Sequence, residues 1–240
     1  APMTRPTIAV VMPAFREGPG LVSAVVAVLA RDDIDQLVVV DASDDPGSNL
    51  VVRGLLASSL DRDSRLRIVR SQRAERASQM NDGAAQSHTD WLVFLHADTR
   101  LPMDDLRLIF RSTGKDIAWA RFAIRIDAAA PIFRIIETIA NHRSCWTAIA
   151  TGDQAISVRR STFQTIGGYR PLALMEDIDI SKRLKRIGRP LCVEKTVRTS
   201  ARRWQAGGVA QTVVLMWVLR FMFYIGVPAN HLVGWYVNRR

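Results

Sequence analysis

The first hundred residues alternate between short apolar runs and longer stretches of mixed polarity. Three runs have the length and the β-branched or aromatic content of buried strands, at residues 7–12, 36–40 and 91–95, and residues 66–69 form a further short strand. Three stretches of helical length and composition lie between them, at residues 20–30, 46–59 and 76–86. Strands separated by helices require right-handed crossovers and a parallel sheet, so the pattern predicts an α/β fold.

The pattern changes after residue 100, but no linker interrupts the chain. Residues 116–126 alternate as in a half-exposed strand, and residues 131–143 have a helical composition. Glu176 begins an amphipathic helix that Gly188 ends, with Pro190 two residues beyond. We therefore expect one domain over residues 1–205, followed by a basic, amphipathic helical extension over residues 206–240.

Polar loops follow three of the four predicted strands. They read PAFRE at residues 13–17, DASDD at 41–45 and HADT at 96–99. Any one of these loops is typical of a helix cap or an Asx turn. Because ligands bind outside the carboxyl ends of the strands in open parallel sheets, three acid-bearing loops at one edge indicate a functional site.

The excess positive charge lies at the C-terminal end. The formal net charge is +10, from 33 Lys and Arg against 23 Asp and Glu. Residues 181–240 hold 12 of the basic residues and the single acid Glu194, which leaves 21 basic and 22 acidic residues in 1–180. This asymmetry predicts an anionic partner, such as phosphate, acidic lipid or nucleic acid, or else a solvated basic face.

The number of cysteines and the sequence of the first residues indicate the cellular compartment of the protein. Cys145 and Cys192 are too few for a disulfide framework and lack the spacing of a zinc or redox motif, so a reducing cytoplasm is expected. Residues 1–6 contain no apolar run long enough for a signal peptide. We therefore expect a cytoplasmic protein, with peripheral attachment at the inner face of the membrane as an open alternative.

A series of short motifs, taken in order, resembles those of family 2 glycosyltransferases of the GT-A fold, particularly small bacterial members with a HADT-type loop. They are PAFRE at 13–17, Asp41, RASQMNDGA at 76–84, HADT at 96–99, GDQAISVRR at 152–160, GGY at 167–169, MEDIDISKRL at 175–184 and ARRW at 201–204. The resemblance implies a Rossmann-like, mostly parallel sheet flanked by helices. It also implies inverting, metal-dependent transfer of a sugar from a nucleotide-diphosphate sugar to an acceptor hydroxyl.

The resemblance further implies a donor site at the strand ends. Phe15 would stack on the base, while Glu17 and Asp41 would accept hydrogen bonds from base and ribose groups. Arg76 would lie near the base or the pyrophosphate, where a planar and permanently charged donor is suited. Pro13 belongs to the same implied site. The alternatives are a core aromatic for Phe15 and a surface helix position for Arg76.

HADT occupies the position of the family's Asp-X-Asp motif. This implies that Asp98 binds the donor and holds Mn²⁺ or Mg²⁺ against its diphosphate. His96 stands where the family has the first Asp, so it either joins the metal site or instead bonds the ribose or orients Asp98.

Glu176-Asp177 matches the family's Glu-Asp motif, which implies that Asp177 is the general base on the acceptor hydroxyl. By spacing alone, these acids would be interpreted as complements of the helix dipole. The residues implied on the acceptor side or in support are Gly152, Asp153, Glu176, Arg203 and Trp204. Ser200 replaces the Gln of the longer motif of processive members, which argues against a polymerising enzyme.

Residues 209–227 contain Arg220 as their only charge. Placing Arg220 in the middle of a membrane would cost about 2.5–3.5 kcal/mol, so spanning is disfavoured. Thr212 and Met216 share a face with Arg220, which predicts an amphipathic helix. Three placements remain open: an anionic membrane interface, a second copy in a homodimer, or packing on the domain.

Two other functions remain open on the sequence alone. The same sheet and acidic loops could serve a nucleotidyltransferase, although the chain lacks the glycine-rich and basic opening loop of that chemistry. The chain could also be a non-catalytic module that binds a nucleotide and a membrane surface. No nucleic-acid partner is expected in any of these cases.

Overall fold

The computed structural model describes residues 5–44, 46–57, 62–112 and 116–237. The strands are β1 (Ile8–Ala14), β2 (Gln36–Asp41), β3 (Leu66–Arg70), β4 (Trp91–Phe94), β5 (Thr99–Arg100), β6 (Trp119–Asp127), β7 (Ser157–Arg159) and β8 (Leu191–Ser200). The helices are α1 (Gly20–Leu29), α2 (Pro46–Ala57), α3 (Arg76–Ala85), α4 (Leu106–Ser112), α5 (Pro131–Thr147), α6 (Arg160–Thr165), α7 (Glu176–Lys185), α8 (Arg202–Gly207), α9 (Val209–Tyr224) and α10 (Ala229–Val237).

One sheet with the strand order β3-β2-β1-β4-β7-β6-β8-β5 runs through the molecule. Strands β3, β2, β1 and β4 are parallel neighbours, and β7 then pairs antiparallel with both β4 and β6. The prediction of a parallel α/β sheet in the first half is therefore confirmed. The carboxyl ends of β1, β2 and β4 lie at one edge, as the order of strands and helices requires.

The central strand β1 is buried on both faces because it separates two cores. Ile8, Val10 and Met12 pack against α1, α2 and α4 on one face. Ala9 and Val11 pack against α3, α6 and α7 on the other. This explains why the strand is continuously apolar rather than alternating.

The second half of the sheet differs from the sequence prediction. Residues 119–124 of β6 are buried, and exposure appears only at Arg125 and Asp127, so the interpretation of a half-exposed strand is wrong for most of its length. The reason is that β6 lies between β7 and β8 in the sheet and also packs against α5. Strand β8 was not predicted, because its sequence is largely polar and half of its residues are exposed or nearly so.

A disulfide joins Cys145 near the end of α5 to Cys192 on β8, with their Cα atoms 5.8 Å apart. The expectation of unpaired cysteines is therefore wrong, because the two positions are 47 residues apart in the chain and only the fold brings them together. Since disulfides persist in oxidising surroundings, cysteine usage no longer supports a reducing compartment. Arg189 also donates to the carbonyls of Cys145 and Trp146, which satisfies orphan acceptors at the end of α5.

The C-terminal helices pack on the domain. Leu219 of α9 and Leu232 of α10 are buried in one cluster with Met175 and Ile178, which flank the Glu-Asp motif. The expected domain boundary at residue 205 falls inside α8, whose Trp204 packs edge-on against Phe133 at 6.3 Å between ring centroids. Within the described ranges, no helix is long and apolar enough to cross a membrane.

Helix α9 is not amphipathic, which corrects the sequence interpretation. Its inner face carries Thr212 and Leu219, which are buried against the domain. Its outer face is also apolar and is exposed over three turns, at Val214, Trp217, Val218, Phe221 and Ile225. The periodicity of Thr212, Met216 and Arg220 therefore marks the face that packs inward rather than a face in water.

Breaking the disulfide should destabilise the protein through the unfolded chain. Closing a loop of 47 residues contributes about 4 kcal/mol in the chain-entropy estimate. We expect Cys192→Ser to lower the free energy of unfolding by about that amount in urea denaturation without reductant. The double variant Cys145→Ser/Cys192→Ser is the control and should lose no more than the single variant. Wild-type stability in Cys192→Ser would contradict the bond.

Candidate active site

The strand ends form a polar rim around a cavity of about 490 Å³. Glu17 follows β1, Asp98 follows β4, and Asp127 ends β6, so three carboxylates from separate strand ends line this cavity. Arg198 of β8 and Arg202 of α8 line it as well. A larger cavity of about 1090 Å³ lies between α1, β5 and β8; it shares Arg100 and Arg198 with the smaller cavity, and none of its lining residues was predicted for the site. The smaller cavity is therefore the candidate active site, because the predicted residues Glu17 and Asp98 line it.

Asp41 does not line this cavity, because its carboxylate is used within its own loop. It is 1% exposed and pairs with Arg70, and it also accepts a hydrogen bond of 3.0 Å from the Ser43 N–H. Pro13 is buried inside β1 opposite Val40. Both residues shape the loops that end β1 and β2, and a direct contact with a nucleotide stays a prediction.

Phe15 is exposed at the rim and is not a core aromatic. Its side chain is 36% exposed, and the Arg16 guanidinium lies 5.0 Å from its ring centroid. Arg16 in turn forms an ion pair of 2.8 Å with Asp44 in the loop after β2. The ring is thus held at the edge of the sheet with apolar surface available for stacking.

The RASQMNDGA segment forms α3 and sets Arg76 at the rim. The buried Gln79 amide donates to the carbonyls of Ala14 and Val40 at 2.7 and 2.8 Å, which ties α3 to the ends of β1 and β2. Gly83 lets α3 lie directly on the sheet, because a Cβ there would overlap the Val11 side chain. Arg76, as the first residue of α3, then projects beyond the sheet edge.

Arg76 is half-buried among acids from several elements. Burial by itself lowers the pKa of Arg76, but Glu176, Tyr236, Asp177 and Asp98 together raise it above its ordinary value. The loop after β4, the start of α7 and the last helix α10 therefore meet at this guanidinium. A permanently charged donor at this position is suited to a diphosphate.

Asp177 is held by two backbone N–H groups. Gly152 N–H donates to Oδ2 at 3.0 Å and Ile178 N–H donates to Oδ1 at 2.8 Å. Helix α7 begins after Met175, which adopts a left-handed φ of 66°, and this places Asp177 in the first helical turn. The carboxylate is therefore oriented from both sides while each oxygen keeps a lone pair for a further partner.

The 3-10 turn at Gly152–Gln154 positions the Gly152 donor. Thr151 and Gln154 form a capping box, and the buried Gln154 amide donates to Ser144 Oγ at 2.9 Å. A Cβ on Gly152 would lie 2.7 Å from the His96 Cε1 and Nε2 atoms. Contact with the imidazole therefore joins the HADT loop to the turn that orients Asp177.

Burial raises the pKa of Asp177 above its ordinary value of 3.8. Arg220 of α9 opposes this most, followed by the two backbone N–H groups, while Asp153 adds to the increase. Glu176, the first residue of α7, is 7% exposed. Asp177 therefore titrates above an ordinary aspartate, and the positive charge of Arg220 favours its ionised form, which is the form that a base requires.

The structure brings together some of the residues predicted on the acceptor side and not others. Gly152, Asp153, Glu176 and Asp177 gather at the start of α7. Trp204 packs in a cluster with Ile126, Phe133 and Ala201, so it supports the fold at the end of α5. The side chain of Arg203 lies outside the described part of the chain.

The described residues contain no group of three or more His, Cys, Asp or Glu side chains that could hold a metal ion. Asp98 is half-buried on the cavity, and its Oδ1 accepts a bond of 3.3 Å from Thr99 Oγ1. It can therefore offer a single carboxylate ligand, and the remaining ligands would come from the substrate and water. His96 faces Gly152 through Nε2, which favours a positioning role for its ring over ligation.

Sequence reasoning missed three residues at this rim: Arg143, Arg220 and Tyr236. They belong to α5, α9 and α10, and electrostatic interactions connect them with Asp177 or Arg76. A charged residue in an otherwise apolar stretch was the only signal for Arg220. For Arg143 and Tyr236 the local sequence offered no signal.

The model of glycosyl transferase family 2 matches residues 9–170, and the chain belongs to this family. No curated protein matches the chain. Among solved structures, it is similar to the mannosyltransferase PcManGT from Pyrobaculum calidifontis in complex with GDP-Man and Mn²⁺, at 17% identity and a TM-score of 0.65. The similarity covers 91% of this chain, which spans 66% of the length of that one. It confirms the expected GT-A fold.

Gly152→Ala should disturb the site without unfolding the protein. The new Cβ would press on the His96 ring, so the turn must shift and weaken its hydrogen bond to Asp177. We expect turnover of a sugar-nucleotide donor to fall by up to about a hundredfold, as displacements near 1 Å can produce. Truncating the ring in Gly152→Ala/His96→Ala should restore part of the rate.

The matched control is Gly54→Ala in α2, where a Cβ has no atom within 4 Å. This variant should keep its turnover. An equal loss in both variants, or no rescue by His96→Ala, would rule out the proposed contact.

Proposed function

We propose that the protein is an inverting glycosyltransferase that moves a sugar from a nucleotide-diphosphate sugar to an acceptor hydroxyl. The observation that carries this proposal is the Asp177 carboxylate, which two N–H groups orient and which, like Asp98, interacts electrostatically with Arg76. The family membership and the acids gathered at the strand ends support it. Neither a nucleotidyltransferase nor a non-catalytic module is favoured by any of these observations.

A single displacement accounts for the roles of the residues around Asp177. The acceptor O–H gives its proton to a free lone pair of the Asp177 carboxylate as its oxygen bonds to the anomeric carbon. The bond from that carbon to the diphosphate breaks on the opposite face, so the configuration inverts. Gly152 and Ile178 hold the carboxylate in place, and the Arg220 charge favours its ionised form before the step.

The donor occupies the opposite side of the rim in this proposal. Phe15 stacks on the base, Glu17 accepts from its polar groups, and Arg76 binds the diphosphate. Asp41 holds the loop beneath the ribose through Arg70 and Ser43. Asp98 would hold Mn²⁺ or Mg²⁺, which would supply positive charge to the departing diphosphate. The GDP-Man and Mn²⁺ in the similar mannosyltransferase support this donor class and a divalent cation.

We further propose that the outer face of α9 binds an anionic membrane surface. This face exposes Trp217 and Phe221 together with Val214, and Trp235 of α10 is exposed as well. Lys182 lies near the exposed Tyr224 of α9, with its ammonium 5.6 Å from the Tyr224 ring centroid. Exposed aromatic side chains beside a strongly basic segment are typical of peripheral binding to acidic lipid.

Asp177→Asn tests the base directly. Turnover should fall by about a hundredfold or more, while the donor dissociation constant measured by calorimetry barely changes. Glu176→Gln should be milder. If the acids only complement the helix dipole, both variants instead melt slightly earlier and keep their turnover.

The pKa of Asp177 also predicts how Asp177→Asn changes the stability of the protein. The pKa of Asp177 is higher in the folded state, so its contribution to stability is present below pH 3.8 and is lost as pH rises through the folded pKa. Asp177→Asn should therefore melt at or above the wild-type temperature at pH 7. An early-melting variant with normal turnover would remove Asp177 from the mechanism.

Liposome flotation tests the membrane surface. The protein should float with vesicles that contain acidic lipid and be released as salt increases, because screening weakens the attraction. Trp217→Ser/Phe221→Ser should abolish flotation, whereas the control Leu108→Ser removes an exposed apolar residue elsewhere, on α4, and should not. Binding indifferent to lipid charge, or an apolar face covered by a second copy in sedimentation, would contradict the proposal.

A further inference from the structure

Three arginines near Asp177 contact no substrate in the reaction described so far, in which only Arg220 takes part, through its charge. Arg121 lies on β6, Arg143 on α5 and Arg220 on α9, so they come from three separate elements. Arg121 is 4% exposed, and Arg143 and Arg220 are half-buried. Among the described residues, none of the three has an acid within ion-pair distance.

Their hydrogen bonds leave most of their donors available. Arg143 Nη1 donates to the Ile149 carbonyl at 3.3 Å, and Arg121 Nη2 donates to the Asn141 carbonyl at 2.9 Å. The buried Nε of Arg121 has no partner within the described part of the chain. Each guanidinium carries five N–H donors, so these contacts satisfy only a small part of their capacity.

The cluster creates an excess of positive charge. Burial, followed by the charge of Arg220, lowers the pKa of Arg143 to about 10, and Arg121 acts in the same direction. Asp177 and Asp153 only partly offset this repulsion. Like charges collected in a half-buried site are unfavourable unless an anion joins them.

The location of these arginines in the fold indicates which substrate they could contact. The Ile149 carbonyl that accepts from Arg143 belongs to a residue that packs with Leu219 and Ile178. Leu219 precedes Arg220 and Ile178 follows Asp177, so the packing of α9 on α7 and the Arg143–Ile149 contact meet beside the Glu-Asp motif. Arg76 interacts with Glu176 and Asp177 as well, and it also interacts with Asp98 on the donor side.

We propose that Arg143 and Arg220 bind an anionic group of the acceptor, a phosphate or a carboxylate, and thereby place the acceptor hydroxyl against Asp177. Arg121 supports Arg143 from beneath the cluster. This inference rests on the proposed function, because it identifies the class of acceptor for the same site. A neutral sugar acceptor would leave the two guanidinium groups without a counter-charge.

Binding of inorganic phosphate to the protein saturated with a nucleoside diphosphate tests the anion site, because the donor side is then filled. Calorimetry should detect phosphate binding to the wild type. Arg143→Gln and Arg220→Gln should each weaken it by about tenfold or more, since hydrogen bonds between charged groups are lost. Arg143→Lys should retain part of the affinity, which separates loss of charge from a folding defect.

Arg111→Gln is the matched control, because it removes one positive charge from the exposed surface of α4. It should leave phosphate binding unchanged. A wild type that does not bind phosphate, or Arg143 and Arg220 variants with normal phosphate affinity, would overturn the proposal. An equal loss of nucleoside diphosphate affinity would overturn it too, because the arginines would then serve the donor. None of these readings requires turnover, so they are independent of whether the protein transfers sugar.

A second readout separates a functional role of Arg220 from a structural one. The Arg220 charge lowers the pKa of Asp177. Arg220→Gln removes that charge, so in a plot of turnover against pH the loss of activity on the acidic side should move to higher pH. Arg220→Lys should restore the wild-type profile. The charged or titratable groups that face Asp177 from other elements are Arg76, Arg143, Asp153 and Tyr169, and all four are unchanged in these variants. An unshifted profile would contradict the role of Arg220.

Discussion

A half-buried carboxylate can act as a base only if the protein stabilises its ionised form, and this requirement organises the rim around Asp177. Two backbone N–H groups orient the Asp177 carboxylate, and the positive charge of Arg220 favours its ionised form. The Gly152 donor is available because a capping box holds its turn and because glycine alone lets that turn approach the His96 ring. The HADT loop, the turn and the start of α7 are therefore parts of one unit.

The C-terminal helices belong to this unit as well. Leu219 and Leu232 are buried against the residues that flank the Glu-Asp motif. This packing brings Arg220 to Asp177 and Tyr236 to Arg76. The extension therefore shapes the electrostatics of the site with its inner face, while its outer face keeps large aromatic side chains exposed.

Local patterns predicted the elements that depend on local burial. The four parallel strands and α3 lie within a few residues of their predicted bounds. For β1, β2 and β4 the reason is that a strand buried on both faces must be continuously apolar, whereas β3 is only partly buried. The polar β8 was missed, since its pairing with β6 and β5 comes from the fold and not from its own sequence. The Cys145–Cys192 bond was missed for the same reason.

The candidate site also combines residues that local motifs predicted with residues that only the fold brings together. The motifs predicted Asp98, Gly152, Glu176 and Asp177 in one site; the structure places Asp98 on the strand-end cavity and brings Gly152 to Asp177 at the start of α7, beside Glu176. Asp41 proved to be an internal ion-pair partner of Arg70, which a motif cannot distinguish from a ligand-binding acid. Arg143 and Arg220 reach the site through packing between distant elements, so no local pattern could have indicated their proximity.

Thermal unfolding with a panel of nucleoside diphosphates and sugar nucleotides, with and without Mn²⁺, tests the central claim most directly. A ligand that binds only the folded protein stabilises it by about 2.7 kcal/mol at a hundred times its dissociation constant. We expect at least one sugar nucleotide to raise the Tm in the presence of Mn²⁺, with a smaller rise in its absence and in Asp98→Asn. A Tm unchanged by every nucleotide and by Mn²⁺ would contradict the assignment of this rim as a glycosyl-transfer site.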